Sequence, residues 1–363
     1  MIDVALDNTC PDKVRASLNR HRKTDIDLAL MLSPGADIVL EEMAQEAKRI
    51  KNERFGKIIQ LYAPLYLSNR CLGDCPYCGF NNKAKITRRT LSLDEAKLEC
   101  AAIAKEGIRH VLLVSGSFTG TMNIGYLAEV TRALKDIVPS ISVEVPSLKQ
   151  ADYEKLRNSG VDGVTLYQET YDRHRYANLH RNGEKADFDF RLKAMDRAGA
   201  AGIRKLTVGT LWGLSPWRMD ALRLGLHANS LQKKWWRSQV LIGLPRLNSV
   251  PDSFSIPHPV NNRSLVQIIT ALRIYLEDAG LVLSTRETAK LRDNLILLGI
   301  TQISAGSSTE PGGYLTPGAS GEQFAVTDTR SPNRMVDVLK DCGYDPVFKD
   351  WDTCLDEQGW RSE

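Results

Sequence analysis

The sequence predicts an α/β fold, a (βα)8 barrel of the TIM type, and two observations support this prediction. First, eight short β-rich runs follow one another along the chain, at 65–67, 110–115, 141–145, 163–166, 205–210, 239–242, 281–284 and 300–304. Second, amphipathic stretches with helical periodicity separate these runs, among them 92–104, 126–137, 187–198, 219–233, 265–276 and 288–298. Strands that alternate with helices in this way form parallel sheets.

The regions on either side of this pattern are expected to extend the barrel rather than to form further catalytic domains. Residues 1–55 are predicted to be a helical N-terminal extension, which Ser33-Pro34-Gly35 interrupts. We expect the barrel itself at 56–317, and a C-terminal helix and tail that pack on the barrel at 318–363. The sequence shows no internal repeat, low-complexity tract or long linker, so one catalytic domain with terminal extensions is predicted.

Composition and charge exclude several classes of protein. The 363 residues are 42% hydrophobic and 25% charged, as in an ordinary soluble globular protein. A net charge of +4 is too small for a nucleic-acid footprint. The chain has no apolar run of membrane-spanning length and no signal-peptide pattern at its start. An odd count of 7 cysteines argues against a disulfide framework. A cytoplasmic protein without nucleic-acid or membrane partners is therefore expected.

Three cysteines just after the first predicted strand are the strongest chemical signal. Cys71, Cys75 and Cys78 follow a C-x3-C-x2-C spacing, and soft thiolates in a tight loop favour iron–sulfur clusters or zinc. Three thiolates can hold three irons of a 4Fe–4S cube and leave the fourth iron open for another ligand. A structural zinc site would need a fourth ligand. The nearest later candidates, Cys100 and His110, lie in segments predicted to be buried.

This spacing, with Tyr77 directly before the third cysteine, resembles the signature of the radical SAM superfamily. The resemblance implies that the open iron binds S-adenosylmethionine (SAM) through its amino and carboxylate groups. One electron from the cluster then cleaves the sulfonium and releases a 5′-deoxyadenosyl radical. In a barrel of this superfamily the cysteine loop lies at the C-terminal ends of the strands, where barrel enzymes carry their chemistry.

Residues after the fourth predicted strand are candidates for SAM contacts. Gln168 and Glu169 could accept hydrogen bonds from ribose hydroxyls or from the SAM amino group. The alternative for Glu169 is an acid that stabilises the first turn of the next helix. Arg191 could pair with the SAM carboxylate, or it could be a solvated helix arginine. His174 and His180 lie in a charged stretch and are expected to face solvent.

Residues after the last three predicted strands are candidates for binding an amino-acid carboxylate. Arg286 follows the seventh strand, and a guanidinium matches a carboxylate in geometry and charge. Ser304 and Ser307 lie at the end of the eighth strand and could complete the carboxylate pocket, although a plain Gly/Ser turn is the alternative. Arg246, after the sixth strand, adds another cation at the same face.

Six segments in chain order carry a more specific resemblance. They are Tyr62-Ala63-Pro64-Leu65-Tyr66-Leu67-Ser68-Asn69, Tyr167-Gln168-Glu169-Thr170-Tyr171, Leu283-Ser284-Thr285-Arg286-Glu287, Ser304-Ala305-Gly306-Ser307-Ser308-Thr309, Pro311-Gly312-Gly313-Tyr314 and Lys349-Asp350-Trp351-Asp352. Together they resemble 2-iminoacetate synthase, the radical SAM tyrosine lyase of bacterial thiamine thiazole biosynthesis. This resemblance runs from about residue 50 to the tail.

The resemblance implies a reaction, cofactors and partners. The deoxyadenosyl radical takes a hydrogen from the tyrosine amino group, and the Cα–Cβ bond then breaks to give 2-iminoacetate (dehydroglycine) and p-cresol. Arg286 matches the family arginine that grips the substrate carboxylate, and Ser304 lies where a hydroxyl assists it. A 4Fe–4S cluster and SAM are the implied cofactors. A reductant such as flavodoxin or ferredoxin, and thiazole synthase, are the implied partners.

Two departures from the family pattern leave other functions open. Ser117 stands where the family usually carries a glutamate that holds the SAM amino group, and Glu144-Val145-Pro146-Ser147 lacks the usual Gln. A related lyase acting on tryptophan or another amino acid is therefore an alternative. The tyrosine lyase of [FeFe]-hydrogenase maturation needs a second cluster, and only Cys342 and Cys354 lie late in this chain. A non-catalytic scaffold that binds zinc or a cluster is the remaining alternative.

Overall fold

A computed structural model describes residues 1–349 and contains all eight predicted strands. Their bounds are β1 Ile58–Ser68, β2 His110–Ser115, β3 Ser140–Glu144, β4 Gly163–Glu169, β5 Lys205–Thr210, β6 Gln239–Gly243, β7 Gly280–Leu283 and β8 Gln302–Ser304. Each strand pairs in parallel with the next, and β1 pairs with both β2 and β8, so the sheet closes. The predicted (βα)8 barrel is confirmed.

Side-chain alternation along the strands separates two apolar regions. On β2, Val111 and Leu113 belong to the large outer core between strands and helices. Leu112 and Val114 instead pack with Tyr62 and Tyr66 of β1 inside the barrel. This period of two is what the pleat of a strand dictates. The barrel interior therefore presents aromatic side chains toward the end of the barrel where β1 stops.

The helices that follow the strands match most of the predicted stretches. Their bounds are α5 Leu93–Lys105, α6 Ile124–Leu134, α7 Gln150–Asn158, α8 Arg173–Leu179, α9 Phe188–Leu192, α10 Ala194–Ala200, α11 Trp217–Lys234, α12 Asn262–Tyr275 and α13 Ala289–Ile296. The stretch predicted as one helix at 187–198 is two short helices, and α7 and α8 were not predicted. α5 begins with a capping box between Ser92 and Glu95, which fixes its first turn.

Helices precede the barrel, and a further strand follows it. The first four helices are α1 Ile2–Leu6, α2 Pro11–Leu18, α3 Asp25–Leu32 and α4 Leu40–Phe55. The break predicted at Ser33-Pro34-Gly35 is where α3 ends, and α3 and α4 both pack against α12. After the barrel come α14 Pro332–Asp341 and β9 Asp345–Val347, which pairs in parallel with the beginning of β1.

The remainder of the predicted tail, residues 350–363, lies outside the described residues. Cys354 and most of the Lys349–Asp352 segment fall in that part of the chain. None of the described helices combines the length and the apolarity needed to cross a lipid bilayer.

Candidate active site

A large cavity opens at the C-terminal ends of the barrel strands. Its empty volume is about 1450 Å³, a figure that includes open solvent at the mouth. Among the residues that line it are these candidates from the sequence: Cys71, Cys75, Tyr77, Cys78, Ser117, Glu169, Arg191, Arg286, Ser304 and Ser307.

The cysteine loop is held in shape by backbone bonds and by one arginine. The N–H of Cys78 donates to the carbonyl of Cys75 at 3.2 Å, which closes a turn between two of the thiols. The Arg88 guanidinium donates to the carbonyls of Asn69 at 2.7 Å and Phe80 at 2.8 Å, on either side of the loop. These bonds bring both ends of the loop together, so the three thiols face the cavity from a fixed turn.

The surroundings of the thiols fit an iron–sulfur cluster. Backbone N–H groups donate to the sulfurs of Cys71 and Cys78, each at 3.4 Å, and such bonds favour thiolates that bind metal. Burial raises the pKa of Cys75, and it raises that of Cys78 to about 12, so loading a metal releases protons here.

A closed zinc site does not fit this donor set. Cys100 packs in the outer core on α5, and His110 contacts the Ser142 hydroxyl at 2.9 Å inside the barrel wall, so neither can reach the loop as a fourth ligand. Within residues 1–349 no three His, Cys, Asp or Glu side chains converge on a single ion position. The three thiolates of a cube each bind a different iron, so they do not need to converge on one point.

Tyr77 links the cysteine loop to the region after β4. Its hydroxyl contacts Nε2 of His180 at 2.7 Å, and both side chains are buried. The expectation that His180 faces solvent is wrong, because the histidine is only 1% exposed and its Nδ1 lies 2.9 Å from the carbonyl of Tyr176. Burial lowers the pKa of His180 to about 3, so the ring is neutral.

Glu169, at the end of β4, is the centre of a buried charge cluster. It has a φ of 70°, the one positive φ among described residues other than glycine. Its carboxylate is bonded by the ammonium of Lys185 and, at 3.3 Å, by the guanidinium of Arg191. Burial alone would raise the pKa of Glu169, but these two cations outweigh it and the pKa is lowered. Arg191 is 4% exposed and also donates to the carbonyl of Tyr167, so it is not a solvated helix arginine.

Two candidates from the sequence do not line the cavity. Gln168 is buried between Tyr167 and Glu169, both of which face the cavity, so alternation along the strand turns Gln168 away. Arg246 is also buried, and its guanidinium is bound by the carboxylate of Glu287 and by the carbonyl of Val260 at 2.9 Å. The expectations that these two residues contact ligand are corrected: Arg246 fixes the segment that carries Arg286.

The Arg286 guanidinium and two hydroxyls form a second polar group in the cavity. Burial lowers the pKa of Arg286, whose charge is near the tyrosines 66 and 167 and Glu144. The hydroxyls of Ser304 and Ser307 are buried without a hydrogen-bond partner in the described part of the chain. Buried polar atoms normally have partners, so this arrangement can accept a ligand that carries a carboxylate.

The segment after β8 crosses the cavity mouth, which the sequence did not reveal. The side-chain oxygen of Gln323 accepts from the hydroxyl of Tyr66 at 2.7 Å, and its carbonyl accepts from the N–H of Gly79 at 3.0 Å. A Cβ at Gly79 would lie 2.3 Å from the carbonyl oxygen of Glu322, so only glycine permits this approach. Phe324 lines the cavity beside them. This segment falls at the beginning of residues 318–363, which were predicted to be a C-terminal helix and tail.

Three charged residues that line the cavity were not proposed as site residues from the sequence. Lys185 and Glu184 follow α8, and Glu144 ends β3. Burial, followed by the charge of Glu169, raises the pKa of Glu144 to about 7. The sequence did contain an indication for Glu144. It lies at the end of a predicted strand, and charged residues at the C-terminal ends of barrel strands face the active site. Lys185 lies in a loop, where sequence gives no comparable guide.

A parallel barrel with three cysteines on the loop after its first strand defines a radical SAM protein. The Radical SAM superfamily model matches residues 65–222. A second model, the Biotin and Thiamin Synthesis associated domain, matches residues 243–345.

Comparison with known proteins narrows this class. The chain is 40% identical to 2-iminoacetate synthase of Escherichia coli (strain K12), over 96% of this chain and 93% of that protein. It is also 40% identical to 2-iminoacetate synthase of Salmonella typhimurium, over 96% of this chain and 92% of that protein. The chain belongs to the 2-iminoacetate synthase family.

A solved structure shares the fold across nearly the whole chain. The crystal structure of HydG, a maturase of the [FeFe]-hydrogenase, superposes with a TM-score of 0.88 at 31% identity. The alignment covers 97% of this chain and 79% of that one. Radical SAM family members use a 4Fe–4S cluster and SAM, and the thiol loop described above fits the cluster.

Proposed function

We propose that this protein is a radical SAM carbon–carbon lyase that cleaves the Cα–Cβ bond of L-tyrosine to 2-iminoacetate and p-cresol for thiazole formation. One observation carries the proposal. The cysteine loop and a guanidinium with two free hydroxyls, Arg286 with Ser304 and Ser307, line the same cavity. An amino acid held by its carboxylate at one end is then presented to the chemistry generated at the other end.

Cys71, Cys75 and Cys78 are the residues that would hold the cluster, and the cavity beside them would hold SAM. When bound, the two cofactors supply a one-electron cleavage and a carbon radical that abstracts hydrogen. We propose that Arg191, whose guanidinium lies 3.3 Å from the Glu169 carboxylate, supplies the cation for the SAM carboxylate. Glu169 remains ionised because Lys185 and Arg191 hold it, so its carboxylate can accept hydrogen bonds from a ribose.

At the substrate end, we propose that Arg286 binds the tyrosine carboxylate bidentately and that the hydroxyls of Ser304 and Ser307 complete the pocket. Binding of the carboxylate decides which substrate atom faces the bound SAM. A displacement of the substrate by about 1 Å can cost on the order of 100-fold in rate. Tyr66 and Phe324 form apolar walls there. Such walls exclude water, which protects a radical from side reactions.

The proposed partners follow from this chemistry. SAM cleavage takes one electron from the cluster, and a second electron with a proton is needed to convert the 4-hydroxybenzyl radical left by the bond cleavage to p-cresol. Flavodoxin or ferredoxin is the proposed electron donor. 2-Iminoacetate hydrolyses to glyoxylate, so direct transfer to thiazole synthase would protect the product. Free thiols and a cluster of this type favour a reducing compartment, and we propose the cytoplasm.

The test is an anaerobic assay of the reconstituted protein with reductant, SAM and tyrosine. Formation of 5′-deoxyadenosine, p-cresol and glyoxylate in equal amounts is expected. Tryptophan serves as the matched control substrate, and no indole-derived fragment is expected from it. Deoxyadenosine without p-cresol would contradict tyrosine as the substrate and leave the radical SAM assignment intact. The absence of deoxyadenosine from protein with a full cluster would contradict both.

A further inference from the structure

The family resemblance implies an acid for the SAM amino group at the position that Ser117 occupies in this chain. Ser117 follows β2 and lines the cavity next to the cysteine loop. Its hydroxyl accepts from the N–H of Leu72 at 3.0 Å and lies 3.5 Å from the sulfur of Cys71. The serine thus keeps the shape of the loop but brings no negative charge to it.

A carboxylate from a different part of the chain reaches the same place. Oε1 of Glu184 accepts from the N–H of Phe118 at 3.3 Å, and the Ser117 hydroxyl is a near neighbour of this carboxylate. Glu184 lines the cavity together with Cys71 and Ser117. We infer that Glu184 supplies the carboxylate that binds the SAM amino group, in place of the acid missing at position 117.

The backbone around Glu184 is docked on the cysteine loop. Gly183 has a φ of +77°, and a Cβ there would lie 3.2 Å from the backbone nitrogen of Gly73. On the other side of the contact, the Asn182 amide donates to the carboxylate of Asp74 at 2.8 Å. These contacts join the segment 182–184 directly to the cysteine loop. They therefore hold Glu184 at a fixed distance from the cysteines.

Charge at this end of the cavity favours the same assignment. Glu169 is already bonded by two cations, Lys185 and Arg191. In the described structure the Glu184 carboxylate accepts from one backbone N–H, and both this group and the neighbouring Ser117 hydroxyl are neutral. Its negative charge is therefore available to an ammonium group, and a charge-assisted hydrogen bond is about twice as strong as a neutral one. Glu144, the other acid that lines the cavity, lies near Arg286.

Glu184→Gln tests the charge with little change in shape, because the glutamine oxygen can still accept from Phe118. The measurement is equilibrium binding to the cluster-loaded protein without reductant, for SAM and for a SAM analogue without the α-amino group. We expect SAM to bind Glu184→Gln about 10- to 100-fold more weakly, and the analogue to bind it as it binds the wild type. Glu322→Gln is the matched control, since Glu322 is exposed and does not line the cavity.

The double variant Ser117→Glu/Glu184→Gln restores a carboxylate on the β2 side, and it is expected to recover most of the SAM affinity. Iron and sulfide content is measured first for each variant. SAM affinity of Glu184→Gln within twofold of the wild type, an equal loss for both ligands, or a double variant no better than the single one would each overturn the inference. It rests on the SAM site of the proposed function but not on its substrate, because tyrosine is absent from the binding measurement.

Discussion

The guanidinium of Arg286 lies over the ring of Phe324, 3.4 Å from the ring centroid. Arg286 follows β7, whereas Phe324 belongs to the segment that returns across the mouth after β8. A cation over an aromatic face is attracted by the ring quadrupole, and this attraction strengthens where water is excluded. The returning segment therefore fixes one face of the guanidinium, and we propose that its planar edge binds the substrate carboxylate.

Arg286→Lys is expected to weaken tyrosine binding while SAM binding is retained. Lysine keeps the positive charge but loses both the stacked plane and the two parallel N–H donors, so the substitution is not conservative here. We expect KM for tyrosine to rise at least about 10-fold, since a charged hydrogen bond is worth about 1.5–3 kcal/mol. Steady-state p-cresol formation measures KM, and deoxyadenosine formed without p-cresol measures uncoupling. An unchanged KM would remove Arg286 from the substrate site.

Cys78→Ser is expected to abolish cluster loading, because a hydroxyl is a poor ligand for iron in a thiolate-bound cube. Iron, sulfide and the visible absorbance of the anaerobically reconstituted protein report the outcome. Cys10→Ser is the matched control, since Cys10 is an exposed free cysteine before α2. A variant at position 78 that keeps a full cluster and forms deoxyadenosine would contradict the proposed ligand set.

Asp328→Asn is expected to destabilise the protein strongly. Arg292, only 1% exposed, forms an ion pair with Asp328 and donates to the carbonyl of Ser304 at 2.5 Å. Loss of the carboxylate leaves a buried cation without its counter-charge, at a cost of about 3–5 kcal/mol. Urea unfolding measures this change. Asp337→Asn is the control, because Asp337 pairs with Arg334 at the surface at 3.7 Å. Equal unfolding midpoints for the two variants would contradict this role of Asp328.

Sequence patterns predicted the strands and the cysteine loop because both depend on local spacing. A buried parallel strand needs a short apolar run, and the three cysteines of the loop all lie within residues 71–78. Contacts between residues that are far apart in the chain leave no comparable local pattern in the sequence. Glu287, whose carboxylate binds the Arg246 guanidinium, lies 41 residues away, and Phe118, whose N–H donates to Glu184, lies 66 residues away. Local patterns therefore placed Arg246 in the cavity and gave no sign of Glu184.

The short helices were missed for a related reason. α8 has seven residues and carries the sequence Arg-His-Arg-Tyr-Ala-Asn-Leu, in which only Tyr176 is buried within the helix. One buried position gives no helical period to detect. His180 lies at the end of this helix, and its burial depends on contact with Tyr77 of the cysteine loop, which no local pattern reports.

Glu144→Gln is expected to change how stability depends on pH. Burial, followed by the charge of Glu169, raises the pKa of Glu144 to about 7, from an ordinary value of 4.5. Between pH 4.5 and about 7 the folded protein therefore keeps a proton on Glu144, whereas the unfolded chain has lost it. It follows that the wild type loses stability as pH rises from about 4.5 to about 7, by at most about 3 kcal/mol.

Glutamine cannot ionise, so the variant should gain stability relative to the wild type over this interval and hold that gain at higher pH. Unfolding free energies of the cluster-free proteins at pH 5, 6, 7 and 8 provide the comparison. Glu154→Gln is the control, because Glu154 is an exposed residue of α7 and its loss should give no pH-dependent difference. A difference between Glu144→Gln and wild type that stays constant from pH 5 to 8 would show that Glu144 is ionised throughout. In that case the positive charges of Lys185, Arg286 and Arg191, each of which lowers the pKa of Glu144, outweigh the effect of burial.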